Sequence, residues 1–522
     1  MMSLIPGRPP SLWRLATAAA AAVATAALLG ACGSQSSSGR GTAQAGNTAV
    51  AANSSSRTLR VLLNNPPSGL DPVVSSRQGE YVWGTMIEPL VATDSDLNPA
   101  KNGIVTNWSQ PTPTTWTLTL RPGLKFTNGE PADATAAAFS ILQNRDNTAS
   151  ILRSYFTNVK SAVATNPTTV TITTGTPQYD LVNLLTTVYL IPPKYYQAQG
   201  SKGFSAHPIG TGAFVWAGQQ AGQSASVTAN PRYWGGKPKI AGIKFTWSTD
   251  PAQRLALIQA GSQDISFDLP PAQAQSAKSA GLMVTSVHTA VKIVAFLEAG
   301  KAPFNNASLR DAAALAINRN ALVSSILSGG ATPDGGLLNM KPGQKPTEEV
   351  TADPAKAKSL VTGSPQIEVS WPQGLYTDLD EVAKAVGGEL QAAGFRVKYN
   401  PTDYATLVGQ ILRRQISGLY FLGAVPNVAV PDFFAHGFMT SDSITANCPS
   451  PELDSLANKA LEASGPAQAQ PIYNQMNTLG VVQMHCYVPL YQETFNYATK
   501  GITGLQYNAL NAVSYNDVAF TG

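Results

Sequence analysis

The alternation of apolar and polar residues changes period along the chain, and each change marks an element. Residues 59–63 (LRVLL) form a short apolar run before a Pro-Pro-Ser-Gly turn, as expected for a buried strand. In 116–120 (WTLTL) and 169–174 (TVTITT) large or β-branched residues alternate with polar ones, which predicts half-buried strands. The first of these leads through an Asn128-Gly129 turn into an alanine-rich segment, predicted helical from about residue 132. Two short strands within 224–247 flank the turn-rich stretch 230–236 (NPRYWGG). In the last third the pattern becomes strand, helix, strand. Residues 367–371 (IEVSW) precede Leu379, Val382, Val386 and Leu390, whose spacing predicts a helix with Asp378 as N-cap and Gly394 closing it. Residues 395–399 follow as a strand, then a helix over about 403–415 and a strand at 419–423. Such a succession builds a parallel sheet, so this part is read as α/β. Ligands of open α/β sheets sit beyond the carboxyl ends of the strands, which singles out Trp371 and the loop Ala424, Val425, Pro426 and Asn427.

The amino terminus has a different character. Arg8 and Arg14 precede an uncharged, alanine-rich run over 15–30. A run of about 16 residues is short for a membrane span, which needs roughly 20, and suits the core of an export signal. It ends in Leu29-Gly30-Ala31-Cys32, which resembles the bacterial lipobox, where cleavage precedes a lipid-modified cysteine. Residues 1–31 are therefore expected to be a lipoprotein signal peptide and Cys32 the lipid attachment point. Residues 32–56, rich in Gly, Ser, Ala, Thr, Asn and Gln, cannot bury enough apolar surface to offset ordering and are read as a flexible tether. The expected location is the extracytoplasmic face of the cell envelope, with the membrane touched only through the lipid.

About 465 residues remain, more than one compact core holds. The chain is 43% hydrophobic and 13% charged, and removing Arg8 and Arg14 lowers the formal charge from +4 to +2. That near-neutral balance excludes nucleic acid as the expected partner. With Cys32 used by lipid, Cys448 and Cys486 are left, and an isolated pair in an exported protein is expected to form a disulfide. The four histidines, His207, His288, His436 and His485, lie far apart and give no metal-ligand spacing. HExxH, GxSxG and Walker motifs are absent, so neither an enzyme nor a bound cofactor is expected.

Several ordered motifs extend the reading. Leu70-Asp71-Pro72 is followed by Ile87-Glu88-Pro89-Leu90, then by 116–130 (WTLTLRPGLKFTNGE), 207–214 (HPIGTGAF) and 230–238 (NPRYWGGKP). Pro303-Phe304, Leu309-Arg310, 314–319 (ALAINR), 450–454 (SPELD) and 488–491 (VPLY) follow in order. Together they resemble the peptide- and nickel-binding solute-binding proteins of bacterial ABC importers, family 5. The resemblance implies a two-lobed type II periplasmic-binding-protein fold, α/β, with an extra subdomain in the first lobe. It divides the chain into 57–92 (first lobe), 93–207 (extra subdomain), 208–292 (first lobe), 293–489 (second lobe) and 490–522 (return to the first lobe). It further implies a monomer that buries a peptide or peptide-like ligand between the lobes by hinge closure. Permease and ATPase subunits on separate chains would receive the ligand.

Against the family pattern, the loop after 419–423 lacks the aspartate that pairs with a peptide's amino group in relatives. Val425 or Pro426 stands there, Asp432 is the nearest carboxylate, and Ala424 replaces the usual tryptophan. Tyr404 matches the relatives' pocket aromatic, and Ser75, Ser76, Arg77 and Gln78 match the segment that offers backbone to the peptide. Tyr491 completes the expected ligand-binding residues. Arg413 and Arg414, at a helix end, could meet a ligand carboxylate. Two alternatives stay open: the same scaffold holding haem or a metal chelate, and an envelope regulator without transport.

Overall fold

The computed structural model describes residues 56–521 apart from Ser76, Thr377, Asn427, Ile444 and Ala446, and without the side chain of Arg77. The expected signal, Cys32 and nearly all of the tether lie outside the described residues.

An eleven-stranded sheet runs through the molecule. At one end Thr58–Leu63 lies parallel between Gly242–Trp247 and Ile265–Ser266. At the other, Gln366–Pro372 lies parallel between Arg396–Thr402 and Gly418–Ala424. Each end is an α/β lobe. Between them run two long antiparallel strands, Met283–Leu297 and Tyr487–Thr499. They take the chain from the first lobe to the second and back. Their pairing slips between His288↔Thr494 and Lys292↔Gln492, leaving three residues opposite Glu493 alone. Such a bulge bends a strand pair locally. The expected boundaries 292/293 and 489/490 fall inside these two strands.

Neither crossing strand was placed from its own residue pattern. The first is half-exposed as far as His288 and fully buried from Thr289, so it has no single period. The second contains Pro489 and Glu493, which read as breaks. The elements with clear periodicity appear close to their expected bounds: Thr115–Leu120, Thr169–Thr174, Gln366–Pro372, Leu379–Ala393 and Gly418–Ala424. Gly394 closes the helix at φ 109°, a conformation costly for any side chain. Asp378 stands at the expected N-cap position, where its carbonyl accepts from the Val382 amide at 3.1 Å, but its backbone is left-handed and its side chain makes no cap bond.

A separate four-stranded sheet, Val105–Thr112, Thr115–Leu120, Thr169–Thr174 and Val159–Asn166, makes the extra subdomain with the helix Ala134–Asp146. Asp133 caps that helix by accepting from the Thr135 and Ala136 amides. Three of the sequence motifs meet at one half-buried carboxylate. Glu88 accepts from the Thr211 hydroxyl at 2.7 Å and from Tyr233 and Trp234 at 2.8 Å each. Asp71 likewise accepts from Tyr196 at 2.8 Å. These motifs build the first lobe. Cys448 and Cys486 are joined by a disulfide with their Cα atoms 6.0 Å apart. Among the described residues no helix is long and apolar enough to cross a membrane.

Beside the bulge, Lys292 is fully buried and its ammonium pairs with buried Asp334 and donates to the Gly336 carbonyl at 3.0 Å. Burial depresses the lysine's proton affinity, and Asp334 opposes that. Removing one partner of a buried pair leaves the other charge unmatched. Lys292→Met is therefore expected to lower stability by about 3–5 kcal/mol. Urea unfolding checks this; a loss below ~1 kcal/mol, the scale of an exposed pair, would contradict it.

Candidate functional site

Both lobes turn the carboxyl ends of their parallel strands toward the crossing strands. In the first lobe, Thr58–Leu63 ends at Asn64 and Ile265–Ser266 ends at Phe267 and Asp268. In the second, Gln366–Pro372 runs into a loop carrying Tyr376 and Asp378, and Gly418–Ala424 runs into Val425 and Pro426. A pocket lies where these ends meet. Asp268 and Leu269 line it from the first lobe, Gly330 and Asp378 from the second, and Tyr491 and Glu493 from the second crossing strand.

The local backbone explains how these groups arrive there. Asp268 and Asp378 both adopt left-handed backbone, φ 49° and 54°. Aspartate tolerates this better than most residues, yet it costs free energy and has to be imposed by the surroundings. For Asp268 the surroundings are visible. The buried Arg254 guanidinium donates to the carbonyls of Ser248 at 2.8 Å, Phe267 at 3.2 Å and Asp268 at 2.7 Å. The Asp268 carboxylate accepts from the Asn64 amide at 2.9 Å. Tyr376 packs on Gly423, where a Cβ would lie 2.5 Å from its ring, so only glycine admits this approach. Glu493 stands opposite the bulge, and the Thr289 hydroxyl fixes its carbonyl at 2.9 Å.

Burial pushes the Glu493 carboxyl up to about 8, and the neighbouring Asp268 charge adds to the shift. Asp268 is raised by burial, opposed by Arg254 and Asn64, and Asp378 by burial and Glu381. Like charges in a half-buried pocket each favour a proton on the other.

The expected site residues divide between this pocket and other places. Tyr491 is in it, 2% exposed, and its hydroxyl has no hydrogen-bond partner among the described residues. Tyr404, 50% exposed, opens the helix Tyr404–Leu412 at a strand end of the second lobe, near Tyr376, whose ionisation is disfavoured first by burial and then by Tyr404. Val425 is half-buried and Ala424 and Pro426 are buried; Asn427 lies outside the described residues. Trp371 belongs to the second-lobe core, with its indole N–H donated to Asp380 and its ring edge-on to Tyr399. It is therefore not the exposed strand-end residue its position suggests. Ser75 sits in a different pocket, with Glu80, Trp83, Ile151, Thr187 and Tyr189. Gln78 is half-buried nearby, while Ser76 and the Arg77 side chain lie outside the described structure. Sequence reasoning missed Asp268, Asp378 and Glu493. Two were hidden in loops, and the third sits in a strand with no readable period.

Asp432, the nearest carboxylate in the loop, is occupied within the protein. It accepts from Tyr473 at 3.1 Å and pairs with His436 Nδ1 at 2.7 Å. It also faces the extra subdomain. There Asp180 is raised by burial and then by Asp432, and Tyr155 stacks on Phe433, 4.4 Å between ring centroids, while donating to its carbonyl at 3.1 Å. One continuous hydrophobic cluster includes Trp116 and Ile141 of the subdomain and Phe296 and Phe434 of the second lobe. The two bodies are thus drawn together in the structure.

Two α/β lobes on two crossing strands, with a pocket between strand ends, define a two-domain periplasmic-binding-protein architecture. The profile of the bacterial extracellular solute-binding proteins, family 5 (middle region), matches residues 87–446, and the chain belongs to that family. It is 25% identical over 430 residues to the glutathione-binding protein GsiB of Salmonella paratyphi A, covering 77% of this chain and 82% of the relative. Its fold matches Helicobacter pylori DppA in complex with the peptide STSA at TM-score 0.77, with 18% identity, 90% of this chain and 98% of that one. It also matches Staphylococcus aureus NikA in complex with Ni(L-His)2 at TM-score 0.76, with 17% identity, 89% of this chain and all of the other. At these identities the two structures are evidence of fold.

His436 generates a pH prediction. Burial alone would lower its proton affinity, but the Asp432 contact outweighs that and raises it to about 9. A histidine raised in the folded state contributes stability that is full below pH 6.5 and lost as pH rises through 9. Stability should therefore fall between pH 6.5 and 9 by roughly 3 kcal/mol through this group. The raised Asp180 acts in the same direction. Thermal unfolding across this range should show a shallower fall in His436→Gln than in the wild type; parallel curves would contradict the assignment.

Proposed function

We propose that this protein is a lipid-anchored substrate-binding protein of an ABC importer, which captures a peptide or peptide-like solute between its lobes by hinge closure. The single observation that carries this reading is the pocket at the strand ends of both lobes, beside the bulge of the crossing strands. A solute there touches both lobes at once, so it binds the closed form better than the open form and shifts the population accordingly. The bulge gives the two strands a place to bend. Membership in family 5 supports delivery to a permease, and the ligands of similar proteins, glutathione for GsiB and the peptide STSA for DppA, support a peptide-like solute. The Cys32 motif supports the anchor, which would hold the binding protein near its permease. With Asp432 bound to His436 and Tyr473, the loop offers no carboxylate for a peptide amino group.

Thermal-shift screening against peptides of two to eight residues tests this, with free and acetylated amino termini. A ligand that binds only the folded state adds about 2.7 kcal/mol at a hundredfold excess over its dissociation constant. A subset of peptides should raise the melting temperature; if none does, while haem or a metal chelate does, the peptide class is wrong. Membrane fractionation of wild type and Cys32→Ser tests the anchor, since only the variant should be released.

A further inference from the structure

The charged groups lining the inter-lobe pocket are Asp268, Asp378 and Glu493, one from each lobe and one from the crossing strand. Among its described lining residues there is no lysine or arginine. The nearest buried cations are committed elsewhere. Arg254 spends its donors on three backbone carbonyls behind Asp268, and Lys292 is paired with Asp334. In the same pocket the Tyr491 hydroxyl is buried and without a partner. Three converging carboxylates and an idle acceptor make an arrangement that repels anions and leaves hydrogen-bonding capacity unused. No three Asp, Glu, His or Cys side chains among the described residues are grouped to hold a metal ion. An organic cation with N–H donors matches both the charge and the unused acceptor.

Resting on the solute-capture reading above, we infer that this hinge-side pocket receives an ammonium or guanidinium group of the ligand, so that the protein selects a cationic solute. Asp268 and Asp378 contact the cation from opposite lobes, and closure brings both to it. Tyr491 accepts one of its N–H groups. The cation also replaces the proton that Glu493 holds near neutrality. The other titratable neighbours are Tyr376 beside Glu493, Glu381 beside Asp378, and His288, which bonds Thr494 at 3.0 Å. Binding should therefore release protons near pH 7 and tighten as pH rises through 8.

The test is titration calorimetry of the purified protein with alanine tripeptides carrying arginine, glutamine or glutamate in the centre, each with a free or acetylated amino terminus. If a basic side chain fills the pocket, the acetylated arginine peptide binds at least about tenfold tighter than its acetylated glutamine and glutamate counterparts. If the amino terminus fills it, the free glutamine peptide exceeds the acetylated one by a similar factor. Either result supports the inference. Equal affinities whatever the charge overturn it while leaving solute capture intact, and silence of all six peptides counts against both. Glu493→Gln should weaken cationic peptides about tenfold and neutral ones little. Repeating the wild-type titration in buffers of different ionisation enthalpy reads the proton release directly and needs no variant; its absence also overturns the inference.

Discussion

Everything in this molecule hangs on one pair of antiparallel strands. The lobes are separate α/β bodies, and Met283–Leu297 and Tyr487–Thr499 carry the chain between them. Paired along most of their length, the strands fix the lobes in register, while the slip between His288 and Lys292, with a second one-residue shift between Ile293 and Val294, interrupts the ladder near its middle. Rigid pairing on either side of a short irregularity is what domain closure requires. The buried Lys292–Asp334 pair stands at the second-lobe side of that point. It constrains the strand without filling the pocket.

The same irregularity delivers the chemistry. Glu493 lies opposite the bulge and is two residues from Tyr491, so both face the place where the lobes meet. Asp268 and Asp378 reach it on left-handed backbones. Family relatives place an acid in the loop after the second-lobe strand, according to the resemblance. Here that loop is apolar, and its next acid, Asp432, is bound to His436 and Tyr473 at the subdomain contact. In this chain the acidic side chains lie at the hinge rather than in the loop, and on the proposed reading recognition of charge is coupled to closure.

Much of the scaffold was legible in the sequence. Strands with clean alternation, such as Thr169–Thr174, and the helix spaced by Leu379, Val382, Val386 and Leu390 appear where their periods place them. The motifs around Glu88 were readable as a set, though only the fold brings them together on one carboxylate. The positions of the crossing strands escaped because their burial changes midway and a proline and a glutamate interrupt the second. Trp371 shows the limit of a positional argument. It ends a strand as expected, yet a strand has two faces, and its side chain points into the second-lobe core. The acidic pocket had no sequence signal, since its three members are separated by more than a hundred residues and meet only through the fold.

The central claim is that a solute closes two lobes about the crossing strands. Spin labels at Val163→Cys in the subdomain and Leu412→Cys in the second lobe, both at exposed positions, report that motion. Pulsed dipolar distances between them should be broad without ligand and collapse to one shorter distance with a saturating arginine tripeptide. An unchanged distribution at saturation would contradict the account.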